Sequence, residues 1–160
     1  MEHDLSTTAI RVAEFPQDLA VVQGLFRAYA ESLEIDLGFQ NFEAELASLP
    51  GKYAAPDGRL LLAWQDTVAV GCVALRKVDH ACCEVKRLYV QPGMRGRKLG
   101  RRLAECICQE AREAGYTRTC LDTLAGMTPA ITLYTSLGFK PIAPYVYNPL
   151  PDAIFLGRTL

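Results

Sequence analysis

Glu84-Val85-Lys86-Arg87-Leu88-Tyr89-Val90 runs directly into Gln91-Pro92-Gly93-Met94-Arg95-Gly96-Arg97-Lys98-Leu99-Gly100, and the two pieces follow different rules. The first is rich in β-branched and aromatic residues and reads as a strand. Pro92 and Gly93 stop it, because proline has no N–H for a ladder and glycine accepts turn dihedrals. From Leu99 onward, Leu103, Cys106, Ile107, Ala111 and Ala114 recur at helical spacing, with Arg101, Arg102, Glu105, Gln109 and Glu113 largely on the other side. The order is strand, glycine-containing turn, helix.

That order has a chemical use. The first N–H groups of a helix have no intrahelical partner, and the helix dipole places partial positive charge there. A phosphate or pyrophosphate can accept those hydrogen bonds. Arg95, Arg97 and Lys98 add full positive charges at the same spot, and Gly96 and Gly100 carry no Cβ to hold a ligand off. A solvated basic turn that binds nothing fits the turn equally well when it is read alone.

Arg95-Gly96-Arg97-Lys98-Leu99-Gly100 resembles the acetyl-CoA pyrophosphate loop of the GNAT superfamily of N-acetyltransferases, whose pattern is Gln/Arg-x-x-Gly-x-Gly/Ala. Arg95 and Gly100 match, and Lys98 stands where the family has its middle glycine; with helical dihedrals it would still present its N–H. A second stretch, Ala130-Ile131-Thr132-Leu133-Tyr134-Thr135-Ser136-Leu137-Gly138-Phe139, is similar to the family's later motif, Ala-x-x-x-Tyr-x-x-x-Gly-Phe. The resemblance covers most of the chain and is strongest over residues 84–139. It implies a single α/β (mixed α+β) domain over residues 1–160, with a GNAT-like fold. Its central, mixed, mostly antiparallel sheet would have about six or seven strands flanked by about four helices.

The rest of the chain agrees with one such domain. With 160 residues, 50% hydrophobic and 22% charged, it can bury a core without disulfide or metal staples. A net charge of -1 argues against a nucleic-acid binder, and no apolar run approaches the roughly 20 residues that span a bilayer. Residues 1–4 start no signal peptide. The six cysteines form no Cys-x-x-Cys pair, and His3 and His80 fall in tail or loop positions, so reduced thiols, no metal and a cytoplasmic protein are expected.

Local patterns supply the elements. Residues 9–12 read as a strand, with Asp18 as N-cap of a helix carrying Val22, Leu25, Phe26, Tyr29 and Leu33 on one face. A shorter helix follows from Asn41, with Phe42, Leu46 and Leu49 inward and Glu43 and Glu45 outward, ended by Pro50-Gly51. Residues 59–65 and 68–76 form a hairpin about Asp66-Thr67. A strand over 117–124 would lie parallel to the one before the basic turn, after a right-handed crossover. Thr128 and Pro129 open a last helix that Gly138 closes, and residues 140–147 and 153–159 read as strands.

What the resemblance implies about chemistry falls on named positions. Tyr134 would be the general acid at the CoA sulfur; an ordinary buried aromatic is its bland alternative. Glu84 aligns with the glutamate that some members use as general base, and partial burial would raise its pKa toward useful base strength. A salt bridge to Lys86 or Arg87 is the competing reading. Leu88, Tyr89 and Val90 would lie along the pantetheine arm, at a bulge that splays the strand, and residues Arg95, Gly96, Arg97, Lys98, Leu99 and Gly100 would hold the pyrophosphate. Met127 stands where many members carry a cofactor-contacting asparagine. Glu34, Asp36, Asp122 and Tyr145 are candidates to meet the acceptor, with Lys86 and Arg87 either structural or aids to an anionic substrate. The expected activity is acetyl transfer from acetyl-CoA, as co-substrate, to the primary amine of a small molecule or peptide by direct attack, in a protein able to pair as a homodimer, with no nucleic-acid or membrane partner. A non-catalytic acyl-CoA-binding sensor and a nucleic-acid module using Arg95 to Arg102 are the alternatives.

Overall fold

The computed structural model describes residues 8–33, 41–94 and 98–160. Its strands are β1 (Thr8–Val12), β2 (Arg59–Gln65), β3 (Val68–Lys77), β4 (Cys82–Val90), β5 (Arg118–Leu124), β6 (Lys140–Pro141) and β7 (Ala153–Thr159). Its α-helices are α1 (Leu19–Leu33), α2 (Phe42–Ala47), α3 (Leu99–Glu113) and α4 (Thr128–Ser136). The strands make one sheet in the order β1-β2-β3-β4-β5-β7-β6, antiparallel throughout except where β4 meets β5. The expected mixed, mostly antiparallel sheet with flanking helices is the one found.

Alternation along the central strands builds two cores, since successive residues of a strand point to opposite faces. Leu61, Ala63, Val73 and Leu75 point to one face and pack against Leu99, Leu103, Ile107 and Ala111 of α3. Leu60, Leu62, Cys72 and Ala74 point to the other and meet Val22, Leu25 and Phe26 of α1 with Phe42 and Leu46 of α2. Both faces of β2 and β3 are therefore apolar, which is why their sequences read as continuous hydrophobic runs.

The hairpin turns at Asp66, whose φ of +54° suits the short polar side chain of an aspartate. Three local expectations need correction. Residues 140–147 do not form a full strand: β6 stops at Pro141 and Ile142 donates one further bond to the Phe155 carbonyl, after which Pro144, Pro149 and Pro151 supply no N–H to a ladder. The Asp18 carboxylate turns back to accept the Glu14 N–H at 2.8 Å and Arg11 at 3.1 Å, while its carbonyl begins α1 by accepting the Val22 N–H. Thr128 lies inside α4, whose N-cap is Met127, with no side-chain capping bond. All six cysteines are free thiols.

Candidate active site

The site opens where two parallel strands part. β4 and β5 pair only through Cys82 with Arg118, Cys83 with Thr119 and Glu84 with Cys120. Beyond Glu84 they diverge, and the space between them is a cleft lined by Lys86 and Leu88 from β4, Asp122 from β5, and Met127 and Tyr134 from the α4 region.

A bulge in β4 sets what faces that cleft. Cys72 lies opposite Tyr89 while Ala74 lies opposite Lys86, so β4 holds one residue more than β3 over this span, and Arg87 sits at φ +63°. The extra residue reverses the alternation. Cys83 and Val85 before the bulge and Leu88 and Val90 after it all join the α3 core, whereas Tyr89 joins the α1/α2 core. Lys86 and Arg87 are neighbours in sequence yet both reach the α1/α2 side, where they line a second cavity with Glu45 and Asp122. This is why the strand reads as mixed in polarity on both faces.

Arg87 is fixed by α2. Its Nε lies 2.9 Å from Glu45 Oε2 and its Nη2 3.1 Å from Glu45 Oε1, and its guanidinium carbon stands 5.3 Å from the Phe42 ring centre. Glu45, expected to face solvent, instead holds this ion pair and accepts the Tyr53 hydroxyl at 2.8 Å. A glutamate on a short amphipathic helix gave no sign of that, because its partner lies 42 residues away.

Glu84 has no exposed surface and lines neither cavity. Its Oε1 accepts Arg76 Nε at 2.8 Å, its Oε2 accepts the Tyr145 hydroxyl at 2.5 Å, and Lys86 Nζ is 3.8 Å from Oε1. Burial alone would raise its pKa, but Lys86, Tyr145 and Arg76 outweigh it and hold the carboxyl below the usual glutamate range. The expected upward shift is thus reversed, and the salt bridge is to Arg76 and Lys86, with Arg87 engaged elsewhere. Tyr145 points its hydroxyl at this buried carboxylate and does not line the cleft.

Tyr134 is buried, lines the cleft and packs edge-on against Phe139, ring centres 5.2 Å apart. Among the described residues its hydroxyl makes no hydrogen bond. Burial drives its pKa up, so the phenol keeps its proton throughout the neutral range. Asp122 also lines the cleft, with one carboxylate oxygen accepting the Asn148 side-chain N–H at 3.1 Å.

The N-terminus of α3 stands beside the end of β4 and α4, near Val90 and Leu133. Lys98 is its N-cap at φ 62°, ψ 16°, a left-handed conformation that corrects the helical dihedrals expected of it. Left-handed backbone favours glycine, the residue the resembled loop pattern places there. Leu99 is buried in the α3 core. A Cβ on Gly100 would stand in ordinary van der Waals contact with Leu133 and Val90, 3.9 Å from each. Arg95, Gly96 and Arg97, like Glu34 and Asp36, lie outside the described residues. Those described contain no cluster of His, Cys, Asp and Glu fit to hold a metal ion, and none of their helices is long and apolar enough to cross a membrane.

A parallel pair of strands that splays beside a bulge, between a helix N-terminus and a buried tyrosine, defines an acyl-CoA-type transferase cleft. Residues 22–139 match the model of the acetyltransferase (GNAT) family, and the chain belongs to that family. It is 41% identical over 153 residues to an uncharacterised N-acetyltransferase of Schizosaccharomyces pombe, covering 94% of each chain. An acetyltransferase from Streptococcus agalactiae has the same fold, with a TM-score of 0.78 at 25% identity over 96% of this chain and 99% of that one. A GNAT family acetyltransferase from Elizabethkingia anophelis, solved with acetyl-CoA bound, superposes with a TM-score of 0.66 at 18% identity over 97% and 99%. The protein is an acyltransferase of the GNAT type.

Proposed function

We propose that this chain transfers the acetyl group of acetyl-CoA to a primary amine by direct attack, in the cleft between β4 and β5. The observation that carries the reading is the divergence of these strands beyond Glu84 and Cys120, with the Arg87 bulge on one wall and the Tyr134 hydroxyl on the other. The residues present fit the donor. Lys98 and Gly100 put positive charge and a surface without a Cβ at the start of α3, suited to the pyrophosphate together with Arg95, Gly96 and Arg97. The backbone of Leu88, Tyr89 and Val90 would hold the pantetheine arm. The acetyl-CoA bound in the Elizabethkingia anophelis enzyme, which has this fold, supports the same donor here. We also place the protein in the cytoplasm, where its free thiols stay reduced.

Bound acetyl-CoA supplies an acyl carbon activated as a thioester. The chain's part is to orient, to exclude water and to place a proton. Asp122 faces the amine and Leu88 keeps one wall of the cleft dry. Tyr134, kept protonated by burial, would donate its hydroxyl hydrogen bond to the departing thiolate. Glu84 supports the site from behind, orienting Arg76, Tyr145 and Lys86. It is neither exposed nor basic enough to take the amine proton itself, and that proton leaves through the open cleft to water.

The direct test is release of CoA thiol from acetyl-CoA with a panel of primary amines, with the N-acetyl product identified by mass spectrometry. Amine-dependent CoA release, slowed in Tyr134→Phe, is expected. No release above the amine-free background from a folded protein that binds acetyl-CoA would leave a non-catalytic acyl-CoA sensor as the better reading.

A further inference from the structure

We infer that the acceptor is a zwitterion: a small amine that also carries a carboxylate or comparable oxyanion, which Lys86 binds while Asp122 faces the amine. The inference rests on the acetyltransferase reading above and names its substrate class. Beyond the last paired couple, Glu84 and Cys120, the next residues of β4 and β5 on the same face are Lys86 and Asp122. They stand on opposite walls where the strands separate, and both line both cavities of the cleft.

Pairing distances leave Lys86 and Asp122 the least engaged. The cluster beside the cleft holds Arg76, Lys86 and Arg87 against Glu45, Glu84 and Asp122, and Lys86 keeps only a longer ionic contact to Glu84 at 3.8 Å. Arg76 is taken by Glu84 at 2.8 Å and Arg87 by Glu45 at 2.9 Å. Lys86 and Asp122 form no ion pair with each other. The Lys86 side chain is only 6% exposed, yet among the described residues its ammonium makes no hydrogen bond. Glu84 Oε1, at 3.8 Å, lies beyond hydrogen-bond reach and already accepts Arg76.

An ammonium at the end of a largely buried side chain, with no hydrogen bond among the described residues, gains from an acceptor that enters the cleft. Across the cleft, Asp122 has one oxygen occupied by Asn148 and offers negative charge to an ammonium. A molecule with both a cation and an oxyanion completes both half-pairs at once. A simple alkylamine meets Asp122 alone and leaves Lys86 with only its 3.8 Å contact to Glu84.

The test compares free amino acids, including ω-amino acids, with their carboxamides as acceptors. It uses the full chain and its Lys86→Met and Lys86→Arg variants, with acetyl-CoA binding measured by calorimetry on the same samples. An amide's amine is less basic and more of it is neutral near pH 7, so preference for the acid form cannot arise from the amine. At least one amino acid should exceed its amide in kcat/KM by about 10- to 100-fold, the worth of a charge-assisted hydrogen bond. Lys86→Met should erase most of that preference through KM, costing the acid form far more than the amide, with acetyl-CoA affinity unchanged and Lys86→Arg keeping part of the preference. Folding is protected because Glu84 retains Arg76 and Tyr145. Acids and amides used alike, or equal losses on both in Lys86→Met, would overturn the inference and spare the acetyltransferase reading. Acetyl-CoA bound but no amino acid acetylated would also overturn it, whereas no acetyl-CoA binding by the wild-type protein would overturn the acetyltransferase reading itself.

Discussion

Arg87, at the bulge of β4, and Glu45, on α2, form a buried two-point ion pair of 2.9 and 3.1 Å that ties the splayed strand to the helix beside it. The Arg87 side chain is 1% exposed and its partner 16%. Removing one member of such a pair costs far more than the pair itself contributes, because the other charge stays buried without compensation.

Glu45→Ala should therefore destabilise the protein by about 3–5 kcal/mol. For a domain of this size that lowers the thermal midpoint by roughly 6–20 °C. Arg27 and Glu43, an exposed pair at 3.2 Å, give the control: Glu43→Ala should change stability by less than about 1 kcal/mol. Equal effects from the two substitutions, read by thermal denaturation, would mean the Arg87–Glu45 pair does not anchor the bulge.

Glu84 makes a pH prediction whose sign follows from its depressed pKa. A carboxyl held below its unfolded value contributes stability that is complete above that ordinary value, 4.5, and is lost as pH falls through the folded one. Denaturant unfolding of wild type and Glu84→Gln should therefore differ most near neutrality and converge as pH drops below about 4.5. A gap that widens on acidification would show that burial, not Arg76 and Tyr145, governs this group.

Tyr134→Phe removes one oxygen and keeps the edge contact to Phe139. Since the hydroxyl has no hydrogen bond among the described residues, stability should change by less than about 1 kcal/mol. Turnover should fall by about 100-fold or more, with acetyl-CoA affinity unchanged. A normal rate in this variant would remove Tyr134 from the chemistry.

Lys98→Gly probes the backbone at the start of α3. The left-handed lysine costs roughly 1–2 kcal/mol, most of which glycine returns through its own unfolded-state entropy. The variant should be as stable as wild type or slightly more so. Its acetyl-CoA affinity should drop only modestly through the lost charge, which calorimetry at two salt concentrations would separate from a backbone effect.

Most of the frame was legible because it rests on local patterns. Asp66-Thr67 turned the hairpin of β2 and β3, and Pro50 and Gly138 ended their helices. Two motifs pointed to Tyr134 and the start of α3, and Asp122 stood out as a charge inside an apolar strand; Tyr134 and Asp122 line one cleft. What stayed hidden has a common cause in long-range partners. Nothing local marks Arg87 for a positive φ, so the reversal that brings Lys86 and Arg87 to one side could not be read. Glu45 looked like a surface residue until its partner on β4 was known, and Tyr145 was expected at the acceptor because Glu84, 61 residues away, gave no sign of claiming its hydroxyl.

The central claim is that acetyl-CoA binds between β4 and β5 against the start of α3, and thermal denaturation of wild type and Gly100→Trp with and without acetyl-CoA tests it most directly. The tryptophan would project from a Cβ 3.9 Å from Leu133 and Val90, at the start of α3 where the pyrophosphate would sit. At about 100 times its Kd, acetyl-CoA should stabilise the wild type by about 2.7 kcal/mol, a clear rise in midpoint, and leave Gly100→Trp unmoved. No rise for the wild type, or the same rise for both proteins, would contradict the placement of the donor in this cleft.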